Sequence, residues 1–430
     1  ALPLAPKGAT FYVAEGTYRP KYDAYLSVPE IKSNATYKLN DDVSIRGGYP
    51  ADATGTDIQS DPKKNLTIFD GDIQGDDIIK ESLDKDGYYT FDRENGDDNV
   101  INMFLSLKKD NQNLVFDGIV VKNVTSNAAF NILYPDKNVV LKNDSFVHNN
   151  TVLQMPYEGD IVDVSNTSFS RNLGRSIYAP DAYSVILNNV SFDSNSGDLL
   201  YTTGKEIGNV EISNVTSTNN KGQFYIHRHH LSVDSSHFEN SYSRGLFYVV
   251  GNGYDVDCQV HFKNSKFINI EGGSVLDVQI ASALDINNCL LSNNKCGSYN
   301  LVNFNGGKDV SIRNSNFVNN EFESISLIGS GTTLDFGTVV IDSCVIESSI
   351  ANKSLLYIIG FADNAVLSNC SVNRNNFGSG IVFFSSIKSL LINNNSFTNN
   401  EGGDLITTVS GALPYFTNNT FASNKLTSTV

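Results

Sequence analysis

One short phrase returns thirteen times between about residue 110 and the C-terminus, and it constrains this chain more than any other feature. Clear copies are Asn143-Asp-Ser-Phe146-Val-His-Asn149, Asn166-Thr-Ser-Phe169-Ser-Arg-Asn172 and Asn189-Val-Ser-Phe192-Asp-Ser-Asn195. Asn394-Asn-Ser-Phe397-Thr-Asn-Asn400 and Asn418-Asn-Thr-Phe421-Ala-Ser-Asn424 repeat it near the end. With the Phe as position zero, zeros fall at Val121, Phe146, Phe169, Phe192, Ser217, Phe238, Phe267, Leu291, Phe317, Ile346, Val372, Phe397 and Phe421. The gaps run from 21 to 29 residues, a spacing that marks units stacked one on the next.

Each unit carries a strand signal upstream. Apolar residues stand seven and five places before zero, as in Val185 and Leu187 or Leu390 and Ile392. Such alternation reads as a strand with one buried face. After the phrase come Gly and a second apolar run, as in Gly197-Asp-Leu-Leu and Gly403-Asp-Leu-Ile. Three short strands per turn of about 25 residues leave no room for a helix. The expected fold is therefore all-β: a right-handed, single-stranded parallel β-helix of the pectin-lyase-like kind, with about thirteen regular turns and an irregular N-terminal part. Residues 1–105 are read as irregular turns with an acidic excursion, and 106–430 as one regular solenoid.

Asn stands three before zero in ten of thirteen copies, and three after zero in nine. Stacked turns place equivalent side chains roughly 4.8 Å apart, so a column of Asn can pair its amides with one another and with the bent backbone. The expected packed ladder is Asn143, Asn166, Asn189, Asn214, Asn264, Asn288, Asn314, Asn369, Asn394 and Asn418. Many of these also open Asn-x-Ser/Thr sequons. A ladder Asn packed against its neighbours cannot carry a glycan, so the sequons read as by-products of the repeat.

Charge and cysteine content exclude several classes. A net charge of −16 argues against nucleic acid and anionic membranes. No apolar run is long enough to span a bilayer, so no direct membrane insertion is expected. Five Cys form an odd set without paired or zinc-type spacing. Cys289, Cys344 and Cys370 sit two before zero, where Val190 and Val215 stand elsewhere, and read as small buried hydrophobes.

Two clusters carry possible metal chemistry. Eleven acidic residues lie from Asp70 to Asp98, and Asp70, Asp72, Asp76 and Asp77 are the candidates for calcium, which takes hard oxygen ligands. The bland alternative is a solvated loop. Five of the six His lie between 227 and 261, and His227, His229 and His230 are the candidates for a transition metal. Their positions relative to zero do not align, which favours a corner loop. No other cofactor is expected. Asp-Asp pairs, at Asp41-Asp42, Asp76-Asp77 and Asp97-Asp98, all fall in the N-terminal excursions. The outward residues beside zero are mostly Ser and Thr (Ser145, Ser168, Ser191, Thr216, Ser371, Ser396, Thr420), an ordinary solvated face with no catalytic residues assigned.

The paired signatures Phe-x-x-Asn and Gly-Gly-x-(Leu/Ile/Val), in copies such as Phe169-Ser-Arg-Asn172, Gly272-Gly-Ser-Val275 and Gly402-Gly-Asp-Leu405, resemble the repeats of the chlamydial polymorphic outer-membrane proteins and of bacterial adhesin-like proteins. The opening Tyr12-Val-Ala-Glu-Gly-Thr-Tyr18 resembles the opening segment of such secreted β-helices. The resemblance implies an extracellular or cell-surface adhesin-like binding or structural protein whose partner is a glycan or a protein surface. The competing expectation is a carbohydrate-active β-helix enzyme, a polysaccharide lyase or glycoside hydrolase. The chain stops at Val430, six residues after Asn424, with no capping sequence. It is therefore expected to be a fragment of a longer protein, able to self-associate through an uncapped last turn.

Overall fold

The computed structural model describes residues 6–20, 35–39, 42–54, 58–106, 113–125, 127–133, 138–157, 159–251, 258–307, 309–329, 337–360, 364–409 and 413–428. Asp41 and the two extreme ends, on which expectations above rest, lie outside these. The chain forms two compact units, 1–222 and 223–430.

Within each unit the repeating phrase builds a corner between two strands. In the first unit the strands upstream of zero are Asn138–Lys142, Gly159–Ser165, Ala182–Asn188 and Gly208–Ser213, each paired in parallel with the next. The short strands around zero, Ser145–Val147, Ser168–Ser170, Ser191–Asp193 and Thr216–Thr218, stack in the same way. A third sheet contains Asn102–Ser106, Ala128–Ile132, Thr151–Gln154, Ile177–Tyr178 and Leu200–Thr202. The second unit repeats this plan from Phe224 to Ser428. Each unit is a right-handed parallel β-helix.

The predicted register holds turn by turn. Val121, Phe146, Phe169, Phe192 and Ser217 are direct partners in the first unit. Phe238, Phe267, Leu291, Phe317, Ile346, Val372, Phe397 and Phe421 are partners in the second. Pairing at rung spacing brings the rings of Phe169 and Phe192 to 5.0 Å and those of Phe238 and Phe267 to 5.2 Å. Offset stacks of this kind add to the burial that drives coiling. The N-terminal segment already belongs to the coil: Thr10–Ala14 pairs with Ser44–Tyr49, and Gly16–Tyr18 with Thr67–Asp70.

Both corners around zero need a left-handed residue, and this corrects the assignment of the ladder. The ten Asn three before zero all have φ between 50° and 57°. Asn is there because it tolerates that conformation better than other side chains. Nine of the ten are exposed and Asn143 is half-buried. They do join side chain to side chain, as in Asn166 to Asn143 (3.2 Å), Asn189 to Asn166 (2.8 Å) and Asn394 to Asn369 (2.7 Å), but in solvent. Burial therefore does not bar a glycan from these sequons.

The buried amide column lies three after zero instead. Asn149, Asn172, Asn195, Asn220, Asn294, Asn320, Asn375 and Asn400 are all at most 2% exposed. Each donates to the carbonyl of a zero residue one turn back: Asn172 to Phe146 (3.1 Å), Asn195 to Phe169 (2.9 Å), Asn320 to Leu291 (2.9 Å). A second inward polar position lies two before zero, held by Asp144 and Thr167 in the first unit and by Ser265, Ser315 and Asn395, among the cysteines, in the second. All five cysteines are buried, and none is in a disulfide.

The one antiparallel element described is the hairpin Ile78–Leu83 with Tyr89–Glu94. It is followed by a single 3-10 turn, Gly96–Asp98. No helix among the described residues is long and apolar enough to cross a membrane.

Candidate functional site

In the second unit, the third sheet turns one file of side chains outward in strict register. Tyr225 pairs with Tyr248, Tyr248 with Asp277, and Asp277 with Asn303. Asn303 pairs with Ser326, Ser326 with Tyr357, Tyr357 with Phe383, and Phe383 with Thr407. Alternation along a strand puts these side chains on the face opposite the core. Rung spacing then lays two aromatic pairs at the ends of a polar middle. Tyr225 and Tyr248 have ring centres 5.4 Å apart; Tyr357 and Phe383 stack at 4.8 Å and 14°.

Corner residues wall the part of this file from Asp277 to Thr407 into a groove of about 680 Å³. Tyr299, 53% exposed, stands on that wall with Glu323 and Lys353. The polar floor is held in place. Asp277 Oδ1 accepts from Gln279 (2.5 Å) and from Asn303 (2.9 Å), and Asn300 donates to Asn303 Oδ1 at 3.2 Å. These bonds fix which edges of the amides face the groove. Tyr357 and Phe383, stacked on each other, give the groove one continuous aromatic patch.

Two of the groove's charged groups, Lys353 and Glu323, are engaged with each other. Lys353 is 2.7 Å from Glu323, and that hydrogen bond and charge raise the lysine pKa. A general base needs the opposite shift. Glu323 is in turn engaged by the ammonium.

The histidine candidates do not converge. Arg228 turns the chain with φ 63°, so His227 and His230 leave on different sheets. His229 points inward, fully buried, and its Nδ1 donates to the His227 carbonyl at 2.8 Å. His230 Nδ1 accepts from the backbone of Gln259 at 3.2 Å. Burial, and then Arg228, lower the pKa of His227.

The acidic candidates divide. Asp70, buried, pairs with Arg19 and Lys122, both at 3.2 Å, and accepts from Asn123. Asp77 pairs with Arg93 at 3.4 Å and accepts from Asn99 at 2.7 Å. Asp72 and Asp76 remain, and the fold brings Asp98 to them. Sequence reasoning missed the groove because the residues of its file stand nine to twelve places after the preceding zero, an offset that varies from turn to turn.

A family model described as right handed beta helix region matches residues 153–305 and again 300–429. No curated protein matches the chain.

Proposed function

We propose that this chain, which belongs to the right-handed β-helix family, is an adhesin-like binding protein of the cell surface or extracellular space that holds an extended polysaccharide along its outward groove. The observation that carries the reading is the file Asp277, Asn303, Ser326, Tyr357, Phe383, Thr407, in which a pinned polar floor leads into a stacked aromatic pair. A sugar chain offers hydroxyls to such amides and apolar ring faces to such aromatics. The net charge of −16 favours a neutral chain over a polyanionic one. The likeness of the repeats to chlamydial and bacterial adhesin-like proteins supports the surface role. The Lys353–Glu323 pair speaks against the alternative, a carbohydrate-active enzyme.

Affinity electrophoresis through gels containing neutral polysaccharides tests this. The chain should be retarded by at least one, and Tyr357→Ala with Phe383→Ala should abolish the retardation while a cooperative melt and an unchanged far-ultraviolet spectrum show the coil intact. Equal retardation of chain and variant would place binding elsewhere. Release of reducing or unsaturated ends, lost in Asp277→Asn, would establish the enzyme.

A further inference from the structure

The first unit contains a cluster that the groove does not involve. One carboxylate oxygen from each of Asp72, Asp76 and Asp98 lies within 4.8 Å of the other two. Asp72 and Asp98 are buried, at 4% and 8% exposure, and Asp76 is exposed. Asp98 Oδ2 accepts from the backbone of Gln74 at 2.7 Å, whereas Asp98 Oδ1 is buried with no hydrogen-bond partner. A carboxylate oxygen left so costs a large desolvation penalty unless something unseen compensates it. Burial raises the Asp98 pKa, and the Asp72 and Asp76 charges raise it further.

The neighbouring cations are placed on other carboxylates: Arg19 and Lys122 on Asp70, Arg93 on Asp77. Asp72 is rigid, because Oδ1 accepts from Gly75 (2.6 Å) and Asp76 (3.3 Å) and Oδ2 from Asp77 (3.0 Å). Oxygens bound to one calcium ion, each about 2.4 Å from it, lie no more than about 4.8 Å apart, a limit that these three carboxylates meet. The donor set is oxygen only, with one side open to solvent for water ligands. That suits calcium better than zinc, whose protein sites are built mainly on Cys and His with few carboxylates.

We propose that Asp72, Asp76 and Asp98 form a calcium site that staples the two ends of the hairpin 78–94 to the coil. Residues 72–77 lead into the hairpin and 97–98 lead out of it, so one ion ties its base together. Beyond that base the hairpin reaches across successive turns of the first unit. Glu81 meets Arg171 (3.1 Å) and His148 (3.3 Å), Ser196 donates to the Tyr89 carbonyl (2.8 Å), and Lys221 meets Asp84 (2.6 Å). Exposed pairs of this sort hold weakly by themselves. Closure at the base lets them act together.

The test uses the full chain, stripped with EDTA and titrated with calcium chloride by calorimetry, with magnesium chloride as the comparison. Calcium should bind at one site, raise the melting temperature and slow proteolysis within 78–94. Asp98→Asn and the exposed Asp76→Asn should each weaken calcium at least tenfold, while both variants melt in EDTA no lower than the parent. Absence of calcium heat in the parent chain would overturn the site, as would unchanged affinity in both variants or an equal response to magnesium.

Discussion

Asn195 Oδ1, one turn on from Asn172, accepts both the backbone N–H and the side-chain amide of Asn172 at 3.0 Å each. Asn172 does the same for Asn149, at 3.0 and 3.2 Å. A side chain three residues after zero therefore completes the backbone hydrogen bonding of a bend that no sheet ladder reaches.

Asn172→Ala should accordingly cost about 1–3 kcal/mol for each buried group left unpaired. Asn189→Ala, at an exposed left-handed corner, should cost only about 1 kcal/mol, and Asn189→Gly close to nothing. Urea midpoints of the three variants check the contrast. Equal losses at Asn172 and Asn189 would mean that both columns serve only the backbone conformation.

Phe169→Ala removes a ring stacked between Phe146 and Phe192. The cavity should cost about 3–5 kcal/mol. Phe169→Leu should recover most of that, since Leu291 holds the same position in its own column. Chemical denaturation gives both values.

Asp144 is a fully buried carboxyl whose pKa burial raises well above the ordinary value. A raised folded-state pKa favours folding while the group is protonated. That stability is present below the unfolded pKa of 3.8 and is lost as pH rises towards the folded value. Asp144→Asn should therefore raise the melting temperature at neutral pH, with the gain shrinking towards about pH 3. Asn395 shows that an amide fits here: it holds the same place in its own turn, accepts from Cys370 N (2.8 Å) and donates to Leu367 O (2.8 Å). A variant less stable than the parent at neutral pH would show that the bonds the carboxylate accepts from Ile119 N (2.9 Å) and Lys142 N (3.0 Å) outweigh its burial.

The cysteines should be silent in the native protein. Burial pushes the Cys289 thiol up to about 11 and that of Cys296 up to about 12, which leaves almost no thiolate at neutral pH. A chromogenic disulfide reagent should label none of the five in the folded chain and all five in denaturant. Rapid labelling of Cys344 or Cys370 without unfolding would show that their column opens.

Much of this was legible because a parallel coil converts sequence period into spatial column. Phe146, Phe169 and Phe192 recur at one offset and therefore meet, and the same logic placed Cys289, Cys344 and Cys370 inside the coil. The position of the packed amides was not legible. Asn143 and Asn149 flank the same Phe at equal distances, and only the backbone bend shows that the first points out and the second in.

The amino-acid sequence alone determined the β-helix, its three strands per turn and the pairing of its zero positions, because in-register stacking needs nothing beyond a repeated pattern of apolar and turn residues. Tertiary structure alone decided what lies between the repeats. Asp277 stands ten places after Phe267, Asn303 twelve after Leu291 and Ser326 nine after Phe317, so their alignment in one file depends on how each turn closes and not on any fixed count from zero to zero. Asp98 joins Asp72 and Asp76 because the hairpin between them folds back on itself, which brings together residues that the chain keeps more than twenty positions apart.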